Sequence, residues 1–183
     1  MIPVIKLAPT SPVPTVAFCM GESGVASRIL YRRWACPWTY ASLREGAEAA
    51  PGQIPARALR ERYRADRVGD DTRVYAVIGD PLAHSKSPLL FNHAFARTGR
   101  DAIYVPLRLP TLDPLLALAH FLGLRGLSVT IPHKEGIRKY VDATEPLAAR
   151  IRLHGLHLVL LLRSHIWAEA ETIDRAIKRT LRP

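Results

Sequence analysis

The sequence predicts an α/β fold, and two features of its 183 residues support this prediction. Short apolar runs alternate with segments of helical spacing along most of the chain, a pattern typical of parallel strands connected by helices. Glycine or proline follows most of these runs, as expected where strands and helices end. The composition, 48% hydrophobic and 23% charged, is that of a soluble globular protein.

The first part of the chain predicts strand, helix, strand and helix in that order. The predicted strands are residues 15–20 (TVAFCM) and 38–40 (WTY), and the predicted helices are residues 24–34 and 55–64. Residues 64–73 are polar and contain a glycine, which predicts a linker to a second unit.

The second unit repeats the α/β alternation three times. Its predicted strands are residues 74–78, 102–107 and 126–130, and its predicted helices are residues 88–98, 112–122 and 134–141. Beyond residue 151 the pattern is lost until a helical end. We therefore divide the chain into residues 1–68, residues 73–150 and a divergent tail, residues 151–183.

The formal net charge of +10 raises the possibility of nucleic-acid binding. However, the basic residues are spread along the chain and do not alternate with aromatic residues, which favours a solvated surface that attracts anionic metabolites. Cys19 and Cys36 lack metal-ligand spacing, and the start of the chain does not resemble a signal peptide. The most apolar stretch, residues 156–162, is far shorter than the roughly 20 residues of a membrane span. A reduced cytoplasmic protein is predicted.

Residues 79–88 (GDPLAHSKSP) join a predicted strand to a predicted helix. Ser87 followed by Pro88 is a favourable helix start, which explains both residues without a ligand. It does not explain Ser85, whose hydroxyl is expected near the same helix N-terminus. Because helix N-termini attract anions, the two hydroxyls suit a carboxylate.

Residues 126–134 (GLSVTIPHK) form a strand that ends near Thr130 and a proline turn that leads to Lys134. We expect Lys134 in the first turn of the next helix, a position suited to proton transfer; the alternative is a surface lysine in a turn. No further ligands are spaced around His84 or His133, so packing or hydrogen bonding is predicted for them and no metal site is expected.

Together the two motifs resemble the shikimate dehydrogenase family over about residues 74–151. The resemblance implies a three-layer, mixed-sheet substrate-binding domain and an NADP-linked interconversion of 3-dehydroshikimate and shikimate. It further implies that Ser85 and Ser87 hold the substrate carboxylate and that Thr130 contacts the ring hydroxyls. Lys134 would act catalytically at the hydroxyl that becomes the ketone.

The sequence departs from that family after the second motif. No Asn follows residue 151, where the family has a substrate-binding Asn and a catalytic Asp. Asp174 lies near the expected distance from Lys134; the alternative is a solvated helix carboxylate. No glycine-rich dinucleotide loop follows either, so no NADP-binding residues are predicted within this chain, which is expected to be inactive alone.

The first segment resembles the C-terminal end of a type I dehydroquinate dehydratase, on residues 20–28 (MGESGVASR), 38–43 (WTYASL) and 50–53 (APGQ). That resemblance implies a partial (β/α)8 barrel with open strand edges. It also implies that Arg28 and Gln53 contact substrate, although Ala49 stands where the family usually has a serine. The alternative for Arg28 is an exposed helix arginine.

Both resemblances in this order are similar to fused dehydratase–dehydrogenase enzymes of the shikimate pathway of aromatic amino-acid and chorismate biosynthesis. The leading hypothesis is therefore the substrate-binding half of a shikimate dehydrogenase. The alternatives are a non-catalytic shikimate-binding module and a dehydroquinate dehydratase function carried by the first segment. The expected partner is a small acid, with no nucleic acid and no membrane, and the sequence does not predict an oligomeric state.

Overall fold

The computed structural model describes residues 1–140 and the backbone of residues 158–160. The α-helices in this part of the chain are α1 (Ile2–Ile5), α2 (Leu7–Thr10), α3 (Val25–Ile29), α4 (Ala56–Glu61), α5 (Ser87–Arg97) and α6 (Leu115–Leu122). The strands are β1 (Arg73–Gly79), β2 (Ala102–Arg108), β3 (Leu124–Val129) and β4 (Leu158–Leu160). Short 3-10 helices are formed by Glu22–Gly24, Tyr31–Trp34, Ala65–Arg67 and Gly136–Tyr140.

The four strands form one mixed sheet in the order β2-β1-β3-β4. β1 pairs in parallel with β2 and with β3, whereas β4 is antiparallel to β3. Every residue of β1 after Arg73 is buried, because the strand is central and both faces of the sheet are covered. The α/β class and the mixed sheet predicted from the sequence are confirmed.

Alternate residues of β1 face two separate apolar layers. Tyr75 and Val77 pack with Phe95 of α5 on one face. Val74, Ala76 and Ile78 belong to a larger core on the other face. That larger core contains residues of α6 and many residues of the first segment, among them Ile5, Ala26, Ile29, Leu30 and Trp34. The first segment is therefore one layer of the fold and shares its main core with the sheet.

A buried amide stabilises the edge strand β2 against α5. The side-chain nitrogen of Asn92 donates to the carbonyl of Tyr104, and its side-chain oxygen accepts from the Tyr104 backbone N–H, both at 2.8 Å. The two bonds satisfy backbone groups of Tyr104 that face away from β1. The same side chain donates to the Pro88 carbonyl at 2.8 Å, which links the edge strand to the start of α5.

The strands predicted at residues 15–20 and 38–40 do not form. Side chains take the place of a neighbouring strand: the Ala17 N–H points to Cys36 Sγ at 3.4 Å, and the Cys19 N–H donates to Ser27 Oγ at 2.8 Å. The β-pairing described in the first segment is a single bridge between Ser42 and Pro55. An apolar run alone does not create a strand when its polar backbone groups find other partners.

The predicted helix of residues 24–34 is divided into a 3-10 turn, α3 and a second 3-10 turn, and the predicted helix of residues 55–64 is shorter. The helix predicted from residue 134 is a 3-10 helix that begins at Gly136, so Lys134 lies in the preceding turn and its predicted place in the first helical turn is wrong. The polar stretch of residues 64–73 is folded: Ala65, Val68 and Thr72 are buried.

None of the helices in residues 1–140 has the length and apolar character that crossing a bilayer requires. The predicted helical end of the tail, together with Asp174, lies outside the described residues.

Candidate functional site

The three parallel strands end at the same edge of the sheet, and most of the candidate residues of the second unit follow these ends. Ser85 and Ser87 come after β1, and Thr130 and Lys134 come after β3. Because β1 and β3 are adjacent and parallel, the topology brings both motifs to one edge. Open α/β sheets bind ligands at this edge.

Backbone hydrogen bonds tie the turn after β1 to the turn after β3. The Thr130 N–H donates to the Ile78 carbonyl at 2.9 Å, and the Asp80 N–H donates to the Ile131 carbonyl at 3.0 Å. Gly79 lies between these bonds, where an added Cβ would be 2.3 Å from Thr130 Cγ2. Only glycine permits this approach, so the position of Thr130 depends on the first motif.

The hydroxyl-bearing residues differ in exposure. Ser87 is buried as the first residue of α5, ahead of Pro88; the helix starts where the pattern predicts, but Lys86 takes the N-cap position and no side chain caps the helix, so the predicted serine cap is wrong. Ser85 is half-buried in the preceding turn, where its N–H donates to the Leu82 carbonyl at 3.0 Å. Thr130 is also half-buried. These three residues therefore differ in how readily a ligand can reach them from solvent.

A buried histidine holds the turn that carries Lys134. The imidazole Nε2 of His133 hydrogen bonds with the Leu109 carbonyl, and the His133 N–H donates to the Thr130 carbonyl at 3.0 Å. Lys134 is half-buried beside it. His133 thus has the hydrogen-bonding role that the sequence indicates, and no cluster of potential metal ligands occurs within residues 1–140.

Arg28 is buried, with only 1% of its surface exposed, so the alternative of an exposed helix arginine is wrong. Its guanidinium carbon lies 4.1 Å from the centre of the Phe18 ring, and Nη1 donates to the Tyr40 carbonyl at 3.4 Å. Nε has no hydrogen-bond partner. Burial lowers the pKa of Arg28, and the charge of nearby Cys19 opposes that shift.

Gln53 lies where two of the matching stretches of the first segment, residues 20–28 and residues 50–53, contact each other. The Gly21 N–H donates to the Pro51 carbonyl at 3.0 Å, and an added Cβ on Gly52 would be 2.1 Å from the Gly21 carbonyl oxygen. The side-chain oxygen of Gln53 accepts from the Ala49 N–H at 2.8 Å. The Gln53 amide is therefore oriented by the backbone of the residue that replaces the family serine.

A cavity of about 670 Å³ separates the first segment from the turn after β1. Gln53 and Ser85 both line it, whereas Arg28, Thr130 and Lys134 do not. Several other polar residues of its wall were not predicted from the sequence to be part of a site. They include Arg62, Tyr63, Lys86 and Arg108. Lys86 lies within the motif of residues 79–88, whereas no motif contains the other three, which reach the cavity only through packing between distant segments.

Comparison with known protein families confirms both resemblances. Residues 77–153 match the family model described as the shikimate dehydrogenase substrate binding domain. Residues 4–70 match the model described as type I 3-dehydroquinase. The two matches occur in the order that the motifs predict.

One curated relative has the same combination, and another matches the second unit alone. The chain is 39% identical over 139 residues to the chloroplastic bifunctional 3-dehydroquinate dehydratase/shikimate dehydrogenase of Arabidopsis thaliana, covering 76% of this chain and 23% of that protein. It is 46% identical over 82 residues to the shikimate dehydrogenase (NADP(+)) of Anaeromyxobacter sp. strain K, covering 44% of this chain and 30% of that enzyme. The chain thus spans less than a third of the length of either relative.

Among solved structures, a shikimate dehydrogenase 1 from Peptoclostridium difficile matches with a TM-score of 0.45 and 32% sequence identity. The match covers 50% of this chain and 34% of that structure.

Proposed function

We propose that this chain, whose residues 77–153 match the shikimate dehydrogenase substrate-binding family, binds shikimate and 3-dehydroshikimate at the carboxyl edge of its parallel strands. The observation that carries the proposal is the pairing of the two motifs. Direct hydrogen bonds join the turns that contain Ser85 and Thr130, so both motifs act on one region of the molecule. The cellular role would lie in the shikimate pathway that leads to chorismate and the aromatic amino acids, in the cytoplasm.

The proposed roles follow the chemistry of the side chains. Ser85 and Ser87 donate hydroxyl hydrogen bonds to the ligand carboxylate beside the start of α5, where the helix end favours negative charge. Thr130 hydrogen bonds with ring hydroxyls. Lys134 receives or returns the proton of the hydroxyl that becomes the ketone, which is general acid–base chemistry.

NADP is the cofactor named for a shikimate dehydrogenase relative of this chain, and it would accept or supply the hydride. The described residues do not fit it. The connections that follow β1, β2 and β3, at residues 79–86, 109–114 and 130–136, hold at most one glycine each, so none of them in this part of the chain has the repeated glycines of a dinucleotide-binding loop. We therefore assign binding and proton transfer to these residues and no hydride step.

The pairing of the two motifs at the carboxyl edge also suggests a second candidate function. A non-catalytic shikimate-binding module needs the hydroxyls of the carboxyl edge and no nucleotide site. Such a module differs from the enzyme in one measurable property: it binds shikimate but does not reduce NADP when shikimate is added.

A dehydroquinate dehydratase function of the first segment is less favoured. Gln53 lines the 670 Å³ cavity but Arg28 does not, and Arg28 is covered by Phe18 and the Tyr40 carbonyl. Borohydride trapping in the presence of dehydroquinate would test it. We expect no lysine of this chain to be trapped as an imine.

Calorimetric titration with shikimate tests the proposal. Ser85→Ala and Lys134→Ala should each weaken binding about tenfold, because each removes one hydrogen bond to a charged or polarised group. Lys139→Ala, an exposed lysine of the next 3-10 helix, is the matched control and should bind as the wild type does. Shikimate binding that is indifferent to both Ser85 and Lys134 would contradict the site. NADP reduction by the chain would show that a nucleotide site exists.

A further inference from the structure

The cavity between the two segments has walls from parts of the chain that match different families. Its volume of about 670 Å³ is within the range of small-molecule sites. The first segment contributes Gln53, Arg62 and Tyr63, and the second contributes Ser85, Lys86 and Arg108. Such a wall exists only where both segments are folded against each other.

Two cationic side chains of this wall, Arg62 and Lys86, have no carboxylate partner within residues 1–140. Arg108 is neutralised locally, since its Nε lies 2.6 Å from Asp80 Oδ1 and its Nη1 lies 2.8 Å from Glu22 Oε2. Within residues 1–140, neither Arg62 nor Lys86 forms an ion pair. The cavity therefore favours a ligand with negative charge.

Neutral donors complete the wall. The side-chain oxygen of Gln53 is occupied by the Ala49 N–H at 2.8 Å, which leaves the Gln53 amide nitrogen to donate to a ligand. Burial raises the pKa of Tyr63, with Arg62 opposing that shift, so the Tyr63 phenol stays neutral. The Ser85 hydroxyl lies on the opposite wall. A ligand with hydroxyl groups as well as a negative charge matches these donors.

We propose that the first segment extends the ligand site of this protein from Ser85 into this cavity, where Arg62, Lys86 and Gln53 select a hydroxylated cyclic carboxylate. Arg62 and Lys86 supply the positive charge that attracts the carboxylate. The Gln53 amide and the Ser85 hydroxyl donate hydrogen bonds to oxygen atoms of the ligand. The inference rests on the proposed function for its ligand class. It adds residues from a segment that matches a different enzyme family.

Titration calorimetry of the full chain with shikimate and with shikimate methyl ester tests this inference. Arg62→Gln and Lys86→Gln should each weaken shikimate binding about threefold to tenfold, because each removes one partly exposed charge from the cavity. The methyl ester, which lacks the negative charge, should bind more weakly and should not respond to either variant. Added salt should weaken shikimate binding to the wild type more than to either variant.

Arg57→Gln is the matched control. Arg57 lies on α4, five residues before Arg62, and is exposed like Arg62, but it pairs with Glu61 at 2.8 Å and does not line the cavity. Its substitution should leave shikimate binding unchanged.

The outcomes separate this inference from the proposed function. If Lys134→Ala and Ser85→Ala weaken binding while Arg62→Gln and Lys86→Gln do not, the inference is wrong and the proposed function stands. If the Arg62 and Lys86 variants weaken binding while Lys134→Ala does not, the cavity binds the acid and the proposed catalytic edge is wrong. If Arg57→Gln weakens shikimate binding as much as the cavity variants do, the effect comes from general surface charge and the inference is wrong.

Discussion

Arg108 Nη1 lies 2.8 Å from Glu22 Oε2, although 86 residues separate the two in the sequence. The same guanidinium reaches Asp80 through Nε at 2.6 Å, so one side chain at the end of β2 contacts both the first segment and the turn after β1. Hydrogen bonding to Asp80 raises the pKa of Arg108, and Glu22 adds to this effect. The junction between the two segments thus combines a shared core with an ion-pair network.

Glu22→Gln should lower the urea midpoint of unfolding only slightly, because the Glu22 side chain is 54% exposed and solvent screens the pair. Asp80→Asn should lower it more, since Asp80 is less exposed and forms the shorter bond. Added salt should reduce the difference between Glu22→Gln and the wild type. A larger effect of Glu22→Gln than of Asp80→Asn would contradict this ranking.

The shared core predicts that the two segments unfold together. Ile29 of α3 is fully buried in the core that also contains Val74, Ala76 and Ile78 of β1. Ile29→Ala should therefore destabilise the whole protein by about 2–4 kcal/mol, since it leaves a cavity beneath the sheet. Leu43→Ala, at a side chain that is 85% exposed, is the control and should have little effect.

Urea unfolding followed by two probes measures the result. In a Trp167→Phe background, tryptophan fluorescence reports on the first segment, which holds Trp34 and Trp38, and far-ultraviolet circular dichroism reports on the whole fold. Coincident transitions that shift together in Ile29→Ala are expected of one cooperative unit. Separate transitions, with only the fluorescence shifted, would show that the segments fold independently.

The second unit was largely predictable because its three parallel strands are mostly buried on both faces. The continuous apolar runs of β1 and β2 and the glycine after α6 place these elements within a few residues of their observed bounds. The first segment was less predictable, because only Ala17 of its apolar run at residues 15–20 is buried in the core, and the run satisfies two backbone N–H groups with Ser27 and Cys36. Periodicity indicates which residues are buried but does not reveal which partner their backbone finds.

The residues of the candidate site also divide into those that could be predicted from the sequence and those that could not. Ser85 and Thr130 could be found because each follows a predicted strand within a recognisable motif. Arg62 could not, because it is one of many basic residues until the fold places it beside the cavity, and Lys86, although it lies within the first motif, gave no sign of facing the first segment.

The buried phenol of Tyr104 should make stability fall at alkaline pH. Burial raises the pKa of Tyr104 despite the hydrogen bond that its hydroxyl donates to Ser128 Oγ at 2.6 Å. The unfolded chain therefore loses this proton first, so the stabilisation is complete below about pH 10, the ordinary tyrosine value, and decreases as the pH rises further. Tyr104→Phe should be less stable than the wild type near neutral pH, by about 1–3 kcal/mol, because Ser128 loses its partner.

Above about pH 10 the difference between Tyr104→Phe and the wild type should narrow, because the variant has no phenol to ionise at this position. Ser128→Ala is the control, since it removes the hydrogen bond but keeps the buried phenol and hence the alkaline loss. Urea unfolding over a series of pH values measures all three proteins. A constant difference between Tyr104→Phe and the wild type at every pH would contradict the assignment.

Gly79→Ala should disturb the carboxyl edge of the sheet more than a substitution there that changes only the polarity of a side chain. The added methyl group would lie 2.3 Å from Thr130 Cγ2 and 2.9 Å from the Ile131 carbonyl oxygen, so the turn after β3 must move. Overpacking of this kind typically costs about 1–3 kcal/mol of stability. Because the displaced residue is Thr130, shikimate affinity should fall about tenfold or more, in excess of what the lost stability alone explains.

Two further variants identify the cause of that loss. Gly69→Ala adds the same methyl group where nothing lies within 4 Å, and it should leave both stability and binding unchanged. Thr130→Ser combined with Gly79→Ala removes the nearest clashing atom while keeping the hydroxyl, so it should restore part of the affinity. If Gly79→Ala binds shikimate as tightly as the wild type, the position of Thr130 does not govern binding, and the pairing of the two turns loses its role in the site.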